Sequence, residues 1–163
     1  MKTLTTLLLI TLLSCKTTTS QKNEVETTQI DNQNQPEETA LNFINSYVLF
    51  CNSGNVDKSL VEWVSEQTTV TRTFKTKLKR IISEAEKEDP ELGLGFDPIF
   101  NAQDYPDKGF KLVKSKTNDE FVTIKAIDWP DWELKIKMEL KDKRWFVDGI
   151  GVINMTETKG IDK

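Results

Sequence analysis

The stretch LKIKMEL, residues 134–140, alternates without exception between an apolar and a charged side chain. Because successive side chains of a β-strand point to opposite faces, this pattern predicts a strand with one buried and one solvated face. Similar segments at 110–114, 121–126 and 145–153 predict three further strands. Turn-forming residues separate consecutive segments at 117–119, 130–131 and 141–143. Such short connections predict an antiparallel meander of four strands.

Upstream of these strands, apolar residues recur at spacings of three and four, which predicts helices. The first helix begins at Pro36, a residue suited to the first turn, and ends at Gly54. A short second helix follows, with Asn55 as its cap, and a third helix runs from about Thr71 to Asp89, where a proline stops it. Helices followed by strands predict an α+β fold, with the helices packed on one face of a curved four-stranded sheet.

This order of elements resembles the nuclear-transport-factor-2-like and cystatin-like superfamily, in which helices pack into a cone-shaped antiparallel sheet. FDPIFNAQD, residues 96–104, is similar to a D-P-x-x-x-A-Q-D loop. That loop occurs in small bacterial secreted proteins and lipoproteins of unknown function (domain of unknown function family 3828). WFVDGI, residues 145–150, is similar to the closing strand of the same family. The resemblance implies the fold and an envelope location, but no reaction.

The chain begins MKTLTTLLLITLLSC, with Lys2 ahead of an apolar run at 7–13. That run is shorter than the roughly 20 residues that span a bilayer, and it predicts a signal peptide over 1–14. Residues 12–15, Leu-Leu-Ser-Cys, resemble the lipobox of bacterial lipoproteins. This resemblance implies diacylglycerol on the Cys15 thiol, cleavage before Cys15 and acylation of the new amine. The alternative is a plain secretory signal with an incidental cysteine.

Four segments follow from this start. The signal peptide occupies 1–14, and residues 15–35 hold the lipidated cysteine and a Thr-, Gln- and Asn-rich disordered tether. Residues 36–154 form a single α+β domain, and 155–163 a flexible tail. The membrane is therefore a predicted partner, reached through the lipid on Cys15. Lys16 stands where an aspartate would favour the inner membrane, so we predict a location on the outer membrane, facing the periplasm.

Composition limits the chemistry that the chain can perform. Twenty-two basic against 26 acidic residues give a net charge of −4, which argues against a nucleic-acid partner. The chain holds no histidine, which removes Cys-His and Ser-His catalysis and makes a zinc site improbable. With Cys15 lipidated, Cys51 has no partner for a disulfide and is interpreted as a structural thiol. No metal and no cofactor is predicted.

The loop FDPIFNAQDYPD, residues 96–107, concentrates polar side chains between the helices and the sheet. Oxygens of Asp97, Asn101, Asp104 and Asp107 are of the kind that bind calcium, but their spacing does not match an EF-hand. An aspartate before a proline also caps its own backbone two residues further on. We therefore favour a structural connection over a binding loop. The candidate residues for binding a ligand or a partner are Asp97, Asn101, Asp104, Tyr105 and Trp129.

Trp129 and Trp132 flank a predicted hairpin turn. Trp132 shares its parity with the apolar residues of 134–140, so we expect it to face the core. Trp129 lies at the turn, where an exposed indole would suit a protein partner. The alternative, slightly favoured, is that Trp129 folds back over the open end of the core.

The sequence favours a lipid-anchored envelope protein that is not an enzyme and binds another protein, as an accessory subunit or as an inhibitor or immunity-type protein. One alternative is a small-ligand binder that uses the hollow of the cone. A third is a proton-transfer enzyme, because Asp97, Asp104, Tyr105 and Asp148 could line the mouth of the cone and work without histidine.

Overall fold

The computed structural model describes residues 35–54, 57–114, 118 and 120–155. The predicted signal peptide over 1–14, Cys15, the predicted tether up to residue 34 and the predicted tail from residue 156 lie outside the described residues. The described elements are three helices and four strands: α1 Pro36–Asn52, α2 Leu60–Glu66, α3 Arg72–Glu88, β1 Phe110–Leu112, β2 Phe121–Ala126, β3 Glu133–Lys141 and β4 Arg144–Gly149.

The four strands pair in the order β1-β2-β3-β4, and every pairing is antiparallel. The predicted α+β fold and the predicted meander are therefore confirmed. At the hairpin between β3 and β4, Asp142 and Lys143 have φ values of 49° and 61°. Two consecutive positive φ values define the mirror-image turn that matches the twist of a two-residue hairpin. The register between β3 and β4 shifts between Lys137 and Met138.

Helix α1 lies across the sheet and contacts all four strands. Its buried side chains are Thr39, Ala40, Phe43, Ile44, Tyr47 and Val48. They meet the inward side chains of the sheet, of which Val122, Ile124, Ile136 and Val147 are fully buried. The other two helices add aromatic contacts, because the ring of Phe43 lies 5.8 Å from Trp63 of α2 and 5.9 Å from Phe74 of α3. Among the described residues, no helix is both long and apolar enough to cross a membrane.

Helix α2 begins later than the sequence predicted. Its cap is Ser59 and not Asn55: the Ser59 hydroxyl accepts a hydrogen bond from Glu62 N at 3.2 Å, and Ser59 N donates to Glu62 Oε2 at 2.8 Å. This reciprocal capping box satisfies two backbone donors at once. The predicted cap was therefore wrong by four residues.

The last strand also ends earlier than predicted, at Gly149 instead of Ile153. The chain then turns, and Ile150 N donates to Ile153 O at 3.0 Å. Val152 N donates to Pro98 O at 3.0 Å, which attaches this turn to the loop at 96–107. Gly151 has a φ of +58°, and a Cβ at this position would lie 2.2 Å from Pro98 O. Only glycine therefore lets the two backbones approach so closely.

A Gly151→Ala substitution tests this contact. We expect it to lower the free energy of unfolding by about 3 kcal/mol or more, because a methyl group would collide with backbone atoms in addition to straining φ. Gly54→Ala is the matched control: its φ is +62°, but nothing lies within 4 Å of the added Cβ. Strain alone should cost that variant about 1 kcal/mol. Urea unfolding measures both values, and equal losses would contradict the interpretation.

Candidate functional site

Asp97 organises the loop at 96–107. Its Oδ1 accepts hydrogen bonds from Ile99 N at 2.8 Å and from Phe100 N at 2.9 Å. The backbones of Asp97 and Ala102 pair with each other, with Asp97 N donating to Ala102 O at 2.8 Å. The predicted turn chemistry of the Asp-Pro pair is therefore confirmed. The side chain caps the turn, as short acidic side chains do in loops whose backbone donors need partners.

The second oxygen of Asp97 accepts a hydrogen bond from the hydroxyl of Tyr47, on helix α1. Tyr47 is only 2% exposed. Burial, followed by the charge of Asp97, raises the pKa of Tyr47 above its ordinary range. Burial also raises the pKa of Asp97, although hydrogen bonds from Tyr47 and from the loop backbone oppose the rise. The phenol therefore stays protonated and donates, which ties the loop to the helix.

Two asparagines of α1 hold the end of the loop. Asn45 binds the backbone of Phe110 twice: its Oδ1 accepts from Phe110 N at 2.8 Å, and its Nδ2 donates to Phe110 O at 3.2 Å. Asn52 Nδ2 donates to Asp107 O at 2.9 Å, and Asn52 Oδ1 accepts from the Tyr105 hydroxyl at 3.2 Å. Side chains of α1 thus satisfy backbone groups at the end of the loop and at the start of β1, which fixes the course of the chain there.

The predicted site residues fall into separate groups. Asp104 and Asn101 are exposed; Asp104 Oδ1 accepts from Tyr105 N at 2.9 Å, and Asn101 adopts a φ of 55°. Asp148 has other partners, since its Oδ1 accepts from Thr71 and Thr73 at 2.8 and 2.7 Å and its Oδ2 lies 3.1 Å from Lys137 Nζ. The hydrogen-bond partners described for Asp97 and Asp148 have no residue in common.

The Asp148 carboxylate links the start of α3 to the sheet. Partial burial alone would raise the pKa of Asp148, but the hydrogen bonds from Thr73, Thr71 and Lys137 outweigh burial and hold the pKa below its ordinary value. An ionised, fully hydrogen-bonded carboxylate of this kind stabilises the fold at neutral pH. No local pattern predicts this role, because Thr71 and Asp148 are 77 residues apart.

Four aromatic side chains form a continuous row, which we call the aromatic row: Tyr105, Phe100, Trp132 and Trp129. The ring of Tyr105 stacks on Phe100 at 5.1 Å, Phe100 meets Trp132 edge to face at 6.5 Å, and Trp132 contacts Trp129 at 5.1 Å. These separations are typical of favourable ring contacts. The row therefore brings together two predicted candidates, Tyr105 and Trp129, that are far apart in sequence.

Exposure changes along the aromatic row. Phe100 is 1% exposed, and Trp132 is partly buried and packs against the core, as predicted. Trp129 is 37% exposed, and its neighbour Ile127 is 49% exposed. Trp129 thus rests on Trp132 and still presents part of its indole to solvent. A shallow depression of about 500 Å³ lies here, lined by residues 129–133.

Two acidic residues meet beside the exposed end of the aromatic row. A hydrogen bond with the Asp128 carboxyl group raises the pKa of Asp107 above its ordinary value, and the charge of Lys108 opposes the rise. Oδ1 of Asp128 is shielded from solvent and accepts no hydrogen bond from the described residues. Asp128 was not among the predicted site residues. The register of β1 and β2 accounts for its position: because Phe110 pairs with Ala126, the segments that hold Asp107 and Asp128 lie side by side.

Cys51, near the end of α1, is partly buried, and burial raises the pKa of its thiol to about 11. The thiol is therefore protonated at neutral pH, as expected of a structural cysteine. Among the described residues, no group of three or more Cys, Asp or Glu side chains is arranged to hold a metal ion.

The Tyr47–Asp97 pair predicts a measurable pH dependence. Because the folded protein binds the Asp97 proton more tightly than the unfolded chain, the contribution of Asp97 to the free energy of unfolding falls as the pH rises from its ordinary pKa of 3.8 through the raised value. Tyr47→Phe removes a hydrogen bond that lowers this pKa. It should extend the fall to higher pH and cost about 1–3 kcal/mol at pH 7.

Urea unfolding between pH 3 and pH 8 measures this effect. Asp97→Asn is the control, because its amide oxygen can still cap the turn while the group no longer titrates. We expect the additional pH dependence of the Tyr47→Phe protein to be absent when both substitutions are combined. A cost of Tyr47→Phe that is the same at every pH would contradict the electrostatic link.

No protein-family model, curated protein or solved structure matches the chain. The resemblance to domain of unknown function family 3828 therefore remains a prediction. It rests on residues 96–104 and 145–150, and the turn that follows the second stretch contacts the first, because Val152 N donates to Pro98 O.

Proposed function

We propose that the protein is a lipid-anchored bacterial envelope protein that acts by binding another protein, without catalysis. The observation that carries this proposal is the aromatic row. Its exposed end, Trp129, packs on Trp132, and the row continues to Phe100 in the core. Aromatic side chains set in well-packed surroundings contribute most of the affinity in many protein interfaces. An accessory subunit of an envelope complex and an inhibitor or immunity-type protein both fit such a surface.

The surface around Trp129 is held in place before any partner arrives. Phe100 is fixed by the capped turn at Asp97, and Tyr105 is fixed by its hydrogen bond to Asn52. The neighbouring backbone is also tied, because Trp132 N donates to Trp129 O at 3.0 Å and Ala126 N donates to Trp132 O at 2.9 Å. Binding by such a surface loses little conformational entropy, which favours recognition of a partner.

The contacts of the acidic residues support binding over catalysis. Both carboxylate oxygens of Asp97 accept hydrogen bonds, from Tyr47 and from the loop backbone. Both oxygens of Asp148 are likewise engaged, by Thr71, Thr73 and Lys137. A general base needs a lone pair directed at its substrate. The inward face of the sheet is likewise occupied by buried side chains packed against α1, which favours a filled cone over a hollow one.

The location and the family are part of the same proposal. The lipobox at 12–15 and the polar segment that follows would leave the domain tethered to the outer membrane, facing the periplasm. The helices on one face of a four-stranded antiparallel meander are compatible with the cystatin-like and nuclear-transport-factor-2-like cone. The D-P-x-x-x-A-Q-D loop supports membership of the family that the sequence resembles.

A photoreactive amino acid tests the binding surface. With p-benzoylphenylalanine in place of Trp129, irradiation of envelopes should yield a discrete protein adduct, because an interface residue lies against its partner. The same amino acid at Leu140 is the matched control, since Leu140 is also a large exposed apolar residue, 53% exposed, near the opposite end of β3. Equal adducts at both positions, or none at Trp129, would refute the proposed surface.

The lipid anchor has a separate test. Cys15→Ser removes the thiol that would carry the diacylglycerol, so we expect the variant protein to leave the membrane fraction and appear in the soluble periplasmic fraction. Membrane fractionation followed by immunoblotting measures the distribution, with Cys51→Ser as the control that should remain membrane-bound. Continued membrane association of the Cys15→Ser protein would refute the lipobox interpretation.

A further inference from the structure

The face of the sheet that points away from α1, which we call the outer face, is lined with basic side chains. Along β3, the buried residues that pack towards α1 alternate with residues of the other face, so Lys135 and Lys137 lie on the outer face. Cross-strand partners share a face, and Lys111 of β1 pairs with Lys125 of β2. The basic residues of the outer face are Lys111, Lys125, Lys135, Lys137, Lys141 and Arg144.

These six cations share the outer face with half as many acidic side chains. The acids are Glu133, Glu139 and Asp148. Within the described part of the chain, Lys137 alone of the six cations forms an ion pair, with Asp148 at 3.1 Å. The whole chain carries a net charge of −4. An acidic protein thus concentrates positive charge on one open face of its sheet.

Two cross-strand pairs on the outer face join like charges. Lys111 stands directly opposite Lys125, although Glu133 stands on the other side of Lys125, and Lys141 stands opposite Arg144. Like charges directly opposite each other destabilise a sheet, and an anion between them relieves the repulsion. The guanidinium of Arg144 lies 5.6 Å from the centre of the Phe146 ring, which holds it at the end of the face. The arrangement therefore favours an anionic surface as the ligand.

We propose that the outer face docks on the anionic phospholipid headgroups of the membrane that holds the lipid of Cys15. The cations are spread along the nine residues of β3 and across four strands, about 30 Å by 15 Å, which suits an extended array of charges. Residues 15–34 span at most about 70 Å, so an acylated Cys15 would keep the domain within reach of the headgroups. The inference rests on the proposed anchor for the choice of a membrane over another polyanion.

Docking in this way leaves the aromatic row accessible. Phe100, in the middle of the row, contacts Tyr47 of α1 at 5.0 Å, so the row extends from the helix side of the sheet. The membrane and the protein partner would therefore meet different surfaces of the domain. Attraction between exposed charges is screened by salt, so the outer face does not replace the lipid when membranes are washed in salt.

Cosedimentation with lipid vesicles tests the docking. The protein is the mature chain expected after signal cleavage, residues 15–163, which contains every described helix and strand and carries Cys15→Ser so that no lipid is attached. We expect it to sediment at low ionic strength with vesicles of phosphatidylcholine that contain about one-third phosphatidylglycerol, and to be released by high salt. Vesicles of phosphatidylcholine alone should bind the protein at least about 10-fold more weakly.

Paired substitutions locate the binding face. Lys111→Gln combined with Lys135→Gln removes two exposed charges from the outer face and should weaken vesicle binding by about 10-fold or more, since each lysine near an anionic surface contributes about 3- to 5-fold. Lys79→Gln combined with Lys87→Gln removes two exposed charges from α3 and is the matched control, which should bind within about 2-fold of the parent protein. An unchanged midpoint of urea unfolding confirms that both variants are folded.

Three results would overturn the inference: no sedimentation with the phosphatidylglycerol vesicles at low ionic strength, equal binding to phosphatidylcholine alone, or equal loss of binding in the two double variants. Binding to polyglutamate that depends on Lys111 and Lys135, without vesicle binding, would also overturn it and assign the outer face to an acidic protein. The proposed function fails separately. Vesicle binding without any protein adduct at Trp129 would refute the proposed function and leave the inference standing, and an adduct without vesicle binding would do the reverse.

Discussion

The hydrogen bond between the Tyr47 hydroxyl and the Asp97 carboxylate connects the two halves of this fold. On one side stands α1, which crosses all four strands and carries most of the helical contribution to the core. On the other side stands the loop that leads from α3 into β1. A buried carboxylate is costly unless it is hydrogen-bonded, so this contact holds the loop in a single conformation. The turn at 150–153 depends on that conformation as well, because Gly151 packs against the Pro98 carbonyl.

The aromatic row follows from the same constraint. The turn capped by Asp97 places Phe100 in the core, and Phe100 supports Tyr105 on one side and Trp132 on the other. Trp129 then rests on Trp132 and extends to the surface. The first half of the loop, around Asp97, therefore fixes the packing of Phe100. The second half, around Tyr105, forms part of the protein surface. Of the two interpretations of the loop, the structural connection is confirmed at Asp97, and binding remains a proposal for the half that holds Tyr105.

Acidic residues have two distinct uses in this protein. Asp97 and Asp148 are hydrogen-bonded on both oxygens, whereas Asp128 directly precedes the exposed Trp129 and raises the pKa of Asp107. An enzyme site built on Asp97, Tyr105 and Asp148 would need these groups directed at one cavity. Asp97 and Tyr105 are instead hydrogen-bonded to Tyr47 and Asn52 of α1, whereas Asp148 is bonded to Thr71, Thr73 and Lys137. The exposed indole of Trp129, which packs on Trp132, is the reason that we propose recognition at the aromatic row.

Local patterns in the sequence determined the element types, because hydrophobic period and turn residues act over a few neighbours: LKIKMEL specified a strand, and Asp97-Pro98 specified a capped turn. The boundaries of α2 and β4 were missed where a capping box and a glycine turn compete with the periodic pattern. Only the tertiary structure decided which long-range partners meet. Tyr47 with Asp97, Thr71 with Asp148, and Asp107 with Asp128 depend on strand register and helix docking, which no local pattern encodes.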